Sequence, residues 1–145
     1  MGNPANTNAF IVKTCAPSIP AKNITALTRL DQNRAYSQIA NRLGVPITSV
    51  KNIIIWGNHS NTQFPDVKHG YIVMDDDDTR GGSKRSIEDS FEDPSYLETN
   101  FVPDVQTRGA AVIAARKLSS AMSAARAAVS YIVILKWRYY CDIVL

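Results

Sequence analysis

Hydrophobic positions change their period several times along the chain, and each change predicts an element. Asn23 to Leu27 reads as a short strand running into Thr28-Arg29-Leu30-Asp31. From there Leu30, Ala35, Ile39 and Leu43 recur at helical spacing. Gly44 is a natural stop, because glycine takes the left-handed cap conformation without a Cβ penalty. Val50 to Trp56 predicts one buried strand: Ile53-Ile54-Ile55 is β-branched, and Gly57-Asn58 ends the run. Strand, helix and strand in this order point to an α/β or α+β arrangement. Farther on, Val105 to Val129 predicts one long helix rich in Ala, Arg and Lys, weakened locally by Gly109 and by Ser119-Ser120. Residues 130–145 crowd large apolar groups together with no turn signal, which on an isolated chain makes an exposed sticky tail.

Charge adds a second layer. Between Asp75 and Asp104 ten acidic residues stand against three basic ones (Arg80, Lys84 and Arg85), a local balance of −7. The whole chain carries +3, so the remainder is strongly basic. With Asp75-Asp76-Asp77-Asp78, Gly81-Gly82 and Pro94, the acidic stretch predicts an exposed hairpin or loop. At 145 residues, 45% hydrophobic and 20% charged, the chain suits one soluble domain and excludes wholesale disorder. The net surplus is too mild to argue for nucleic acid, and no basic patch is interleaved with aromatics. Two distant cysteines, Cys15 and Cys141, form no CxxC pair; they exclude a disulfide-dense scaffold and fit a reducing compartment. The longest apolar run, Ala127 to Leu135, is far shorter than the roughly 20 residues a membrane helix needs. The start of the chain is polar and turn-rich, so a cytoplasmic protein with no membrane partner is expected.

His59 is the sharpest chemical candidate. It follows a buried strand in Trp56-Gly57-Asn58-His59-Ser60, where a loop holds it at the mouth of a sheet. Imidazole exchanges protons near neutrality, although most histidines so placed do nothing chemical. Asp31 and Arg34, three apart, share a helix face. They suit a surface ion pair, or else a carboxylate that orients an imidazole beside a guanidinium that clamps a substrate carboxylate. Arg29 competes for that second role. An EF-hand loop starting at Asp77 places Gly82 and Glu88 correctly but puts Thr79 and Gly81 at two ligand positions, so no calcium site is expected. His59 and His69 have no further His or Cys nearby, so no metal site is expected at all. There is no Gly-x-Gly-x-x-Gly and no P-loop.

Five longer words change the weighting. Gly2-Asn3-Pro4-Ala5-Asn6-Thr7-Asn8, Ala16-Pro17-Ser18-Ile19-Pro20, Leu27-Thr28-Arg29-Leu30-Asp31-Gln32-Asn33-Arg34-Ala35, Asn52-Ile53-Ile54-Ile55-Trp56-Gly57-Asn58-His59-Ser60 and the run from Arg108 to Ala125 stand in one order. Together they resemble the cytosolic type of malate dehydrogenase, within the lactate/malate dehydrogenase superfamily. The resemblance implies the α+β catalytic domain of that fold, reversible oxidation of malate to oxaloacetate with NAD, and a homodimer in the full-length form. It implies His59 as proton acceptor paired with Asp31, and Arg34 as the bidentate carboxylate clamp. It further implies Asn3 on the substrate and beside the nicotinamide, with Gly2 and Ser119 also on the cofactor.

Family members are about twice this long, as two-domain chains are. The resemblance therefore implies a truncated fold whose N-terminal Rossmann half is missing, with the Gly-rich pyrophosphate turn and the mobile arginine loop. Residues 1–27 correspond to the end of that NAD-binding domain, 28–129 to a partial catalytic domain, and 130–145 to a divergent tail. Little or no turnover is expected of such a chain alone, since a nicotinamide must lie about 3–3.5 Å from the reacting carbon. The alternative is a non-catalytic fragment that only associates with full-length subunits.

Overall fold

The computed structural model describes residues 2–59, 61–74 and 82–141. Among the described residues four α-helices accompany two small antiparallel sheets: α1 (Ala5–Cys15), α2 (Arg29–Leu43), α3 (Val102–Arg116) and α4 (Ala121–Cys141). The strands are β1 (Val50–Lys51), β2 (Ile54–Trp56), β3 (Phe64–Asp66), β4 (Tyr71–Met74) and β5 (Ser83–Ser86). One sheet has the order β1-β4-β5 and the other pairs β2 with β3.

Helix α2 is the spine. Ala35, Ile39 and Ala40 are buried on one side of it, as a 3.6-residue period requires, and Gly44 closes it with φ +67°. That buried side packs with Val50, Ile53 and Ile72 from the strands and with Ile87, Leu97, Phe101 and Val105. The antiparallel sheets beside helices make this an α+β domain, as expected.

Four expectations change. The strand expected at Asn23 to Leu27 is absent: Ala21–Asn23 is a 3₁₀ turn, and Ile24 is extended without a ladder partner among the described residues. The single strand expected from Val50 to Trp56 is two strands in different sheets. Asn52 breaks it, taking φ +60° while its Nδ2 donates to the His69 carbonyl at 2.9 Å. Asparagine tolerates the left-handed region because its short amide bonds locally. The single helix from Val105 to Val129 is likewise two, parted at Lys117, whose φ is +58°; the weak point lies at Ser119-Ser120 and not at Gly109. The second of these helices runs through residues 130–141, so the expected tail continues an element up to that point.

The acidic stretch is only partly a solvated loop. β5 lies inside it and pairs antiparallel with β4 just before it, in keeping with the expected hairpin, whereas Ile87, Leu97 and Phe101 farther along it are core residues. A π-helical turn, Leu97–Phe101, leads straight into α3. The four-aspartate run, the first half of the EF-hand-like loop that starts at Asp77 and residues 142–145 lie outside the described residues. Among the described residues no helix is long and apolar enough to cross a membrane.

Candidate functional site

The first turn of α2 carries Asp31, which is fully buried. One turn later Arg34 lies on the same face, its Nη1 3.2 Å from Asp31 Oδ1. His59 arrives from the loop after β2, where Gly57 turns the chain at φ +83°. Its ring Nδ1 bonds the other carboxylate oxygen, Asp31 Oδ2. An ionised carboxylate only accepts, so in the neutral ring Nδ1 carries the proton and Nε2 is the acceptor nitrogen. The loop is pinned from α1 as well: the His59 backbone N–H donates to Asn6 Oδ1 at 3.0 Å.

Gln63 completes the setting of Asp31. Its Nε2 donates to Asp31 Oδ1 at 3.3 Å, and its carbonyl accepts Gln106 Nε2 from α3 at 2.7 Å. A buried carboxylate with three side chains around it is charge-compensated, which is what makes such burial tolerable. Gly109 of α3 faces Arg34: a Cβ there would stand 3.4 and 3.5 Å from the two terminal guanidinium nitrogens. An alanine methyl there would only just touch the guanidinium, so the helix and Arg34 lie in close contact at this position.

These groups line a cavity of about 270 Å³, whose wall also includes Asn3, Ser119 and Ser120. Of the residues singled out from sequence, Asn3, Asp31, Arg34, His59 and Ser119 thus meet in one place. Gly2 is not in the lining; its carbonyl accepts Asn8 Nδ2 at 3.1 Å. Arg29 faces a different, larger cavity of about 630 Å³, and its Nη1 bonds Gln32 Oε1 at 2.6 Å. Size does not favour that cavity as the reactive site: no carboxylate or imidazole lines it. Gln63, Gln106, Asn6 and Gly109 carry parts of the arrangement that sequence reasoning did not assign. The Asn-rich start beside Asn3 was the available signal for Asn6; the glutamines have no spacing signature.

A volume near 270 Å³ matches a small acid and one heteroaromatic ring, well short of a dinucleotide. The lining combines apolar Ala110 and Ile113 with polar Asn3 and Ser119, a composition that suits a flat ring bearing a polar arm. The residues present therefore fit the nicotinamide end of NAD. No group of three or more His, Cys, Asp or Glu side chains able to hold a metal occurs among the described residues.

Residues 28–137 match the lactate/malate dehydrogenase alpha/beta C-terminal domain family. Malate dehydrogenase 1, cytoplasmic, of Arabidopsis thaliana is 54% identical over 132 residues, 91% of this chain and 38% of that protein. Cytoplasmic malate dehydrogenase of Gallus gallus is 55% identical over 127 residues, 88% of this chain and 36% of that protein. Among solved structures, malate dehydrogenase from Naegleria fowleri superimposes with a TM-score of 0.74 at 46% identity, covering 89% of this chain and 36% of that one. Lactate dehydrogenase of Trichomonas vaginalis in complex with NADH and oxamate gives 0.79 at 32% identity, covering 90% and 37%. The chain spans somewhat over a third of the length of these relatives.

Proposed function

The chain belongs to the lactate/malate dehydrogenase family, through its alpha/beta C-terminal domain, and from that premise we propose that it carries the dicarboxylate site of an NAD-dependent malate dehydrogenase. The observation that carries this reading is the convergence of His59, Asp31 and Arg34 on one small cavity. Arg34 clamps one carboxylate of malate or oxaloacetate through parallel N–H···O bonds, a geometry that a planar guanidinium provides and an ammonium does not. Asn3 donates to the substrate and lies beside the nicotinamide ring, and Ser119 lines the far side.

NAD, when bound, supplies the hydride acceptor. The chain's own part is the proton. Asp31 holds Nδ1–H, so His59 Nε2 accepts the substrate hydroxyl proton during oxidation and returns it during reduction. Removing the proton as carbon is oxidised keeps alkoxide charge from building up unopposed. In this reading residues 1–27 are the remnant of the end of the cofactor-binding domain and 28–129 a partial catalytic domain. Both plant and animal relatives are named cytoplasmic, which supports the cytoplasm as the site of action.

A second reading has its own support: exposed apolar residues on α1 and α4 favour a non-catalytic chain that associates with full-length subunits. Titration of the purified chain with NADH, followed by cofactor fluorescence, and with oxaloacetate, followed by the His59 ring resonances, separates the two. The expected result is oxaloacetate binding weakened about tenfold or more by Arg34→Gln, with little turnover. Absence of oxaloacetate binding, together with co-purification of a complete subunit, favours the second.

A further inference from the structure

We infer that Gln63 is the positioning residue that fixes the Asp31 carboxylate and, through it, the tautomer of His59; this rests on the proposed role of His59. Gln63 is only 2% exposed, yet among the described residues its Oε1 has no hydrogen-bond partner. A buried amide with one unmatched end loses hydration that folding does not return, so simple filling of this space suits an apolar side chain better. What the amide supplies is at its other end, where Nε2 donates to Asp31 Oδ1 at 3.3 Å. The orientation is set by charge: the carboxylate only accepts, so the NH₂ group must face Asp31 and the carbonyl must turn away.

The carboxylate is thereby held from two directions. Arg34 Nη1 meets the same Oδ1 at 3.2 Å, while Oδ2 is left to His59 Nδ1. Arg34 makes the charge-assisted bond, but its guanidinium also faces the cavity, where an anion that enters competes with Asp31 for it. Gln63 lines the same cavity, but it is uncharged and only 2% exposed, so an entering anion draws on it less. It is anchored by its own backbone, whose carbonyl takes Gln106 Nε2 at 2.7 Å and ties the loop to α3. That anchor does not involve the side chain, so the amide can be replaced without cutting the tie. With the amide gone, Asp31 loses the donor that stays in place when substrate draws on Arg34, and its hold on Nδ1–H loosens.

The chain has two histidines, His59 and His69, so the imidazole nitrogens are assignable in the intact 145-residue protein and His69 serves as internal reference. Ring ¹⁵N shifts report the tautomer directly. In the unsubstituted chain His59 is expected to be dominated by the Nδ1–H form. Gln63→Met, of similar shape but without the donor, is expected to lower the Nδ1–H to Nε2–H ratio of His59 several-fold and to leave His69 unchanged. Gln63→Leu, which also lacks the donor and brings no ionisable group, is expected to do the same. An unchanged His59 ratio in a variant whose circular dichroism is native overturns the assignment. So does loss of the fold in both variants, which makes Gln63 a structural residue. If the unsubstituted chain itself lacks the Nδ1–H form, the proton-transfer reading of His59 fails first, and that result is distinct from the other two.

Discussion

At the scale of single residues the site is set by what surrounds one carboxylate. Asp31 is fully buried and meets an imidazole, a guanidinium and an amide, so each partner's position depends on the others. Gly109 sits at the edge of this group, and its cost and benefit separate cleanly. A glycine in a helix interior is about 0.5–1 kcal/mol less favourable than alanine. Its Cβ position lies 3.4 Å from Arg34 Nη2, at the limit of ordinary contact. Gly109→Ala is therefore expected to raise the thermal midpoint and leave oxaloacetate binding within about twofold. Gly109→Val adds branches that press on the guanidinium and displace it from its place against the helix. It is expected to weaken binding about tenfold or more, read by titration calorimetry beside a melting curve. Equal binding by the valine variant would show that Arg34 does not need the space.

At the scale of elements, the helix that bears the site was legible from its pattern alone, because its apolar period and its glycine stop are both local. Non-local effects hid the rest. The strand through Ile53 breaks because Asn52 reaches across to the His69 carbonyl, seventeen residues away. The acidic stretch hides Ile87, Leu97 and Phe101, whose spacing is masked by charges on the outward faces between them. His59, Asp31 and Arg34 were candidates from residue type and spacing, and the family resemblance raised their weight and added Asn3 and Ser119; Gln63 was not nameable at all, since a glutamine's role depends on which atom it faces.

The β2–β3 ribbon yields a pH prediction. Asp66 has its carboxyl pulled below its ordinary range, first by the Trp56 indole N–H at 2.9 Å and then by the Lys68 backbone N–H at 2.8 Å. A folded-state value below the unfolded one gives stability that is present above the ordinary carboxylate range and is lost as pH falls through the folded value. Asp66 is close to solvent, so the contribution is small and screened by salt. Trp56→Phe is expected to move the Asp66 titration midpoint upward, as read from its side-chain carboxyl ¹³C shift. It should also flatten the acid limb of stability against pH. No movement would mean that the indole bond is not formed in solution.

At the scale of the whole molecule, the polar site is small and the exposed apolar surface is large. Phe10 of α1 is 68% exposed, and Met122 and Ile132 of α4 are 81% and 63% exposed. Ile11, Val12, Val129 and Val133 extend the same surfaces. Single exposed apolar residues are ordinary, but groups of them along two helices are not, and water favours their removal at roughly 25 cal/mol per Å² of apolar area covered. Weak charge repulsion does little to oppose this, because the net charge is only +3. The purified chain is therefore expected to associate as its concentration rises through the micromolar range, with a weight-average mass above 16.0 kDa by sedimentation equilibrium. Because the driving surface is apolar, raising the salt concentration should strengthen the association. Met122→Lys combined with Ile132→Lys places charge on α4 away from the cavity lining, and should restore the monomer while leaving oxaloacetate binding intact. A monomer at all concentrations in the unsubstituted chain would mean that these helices cover one another in solution, and the association reading would lose its support.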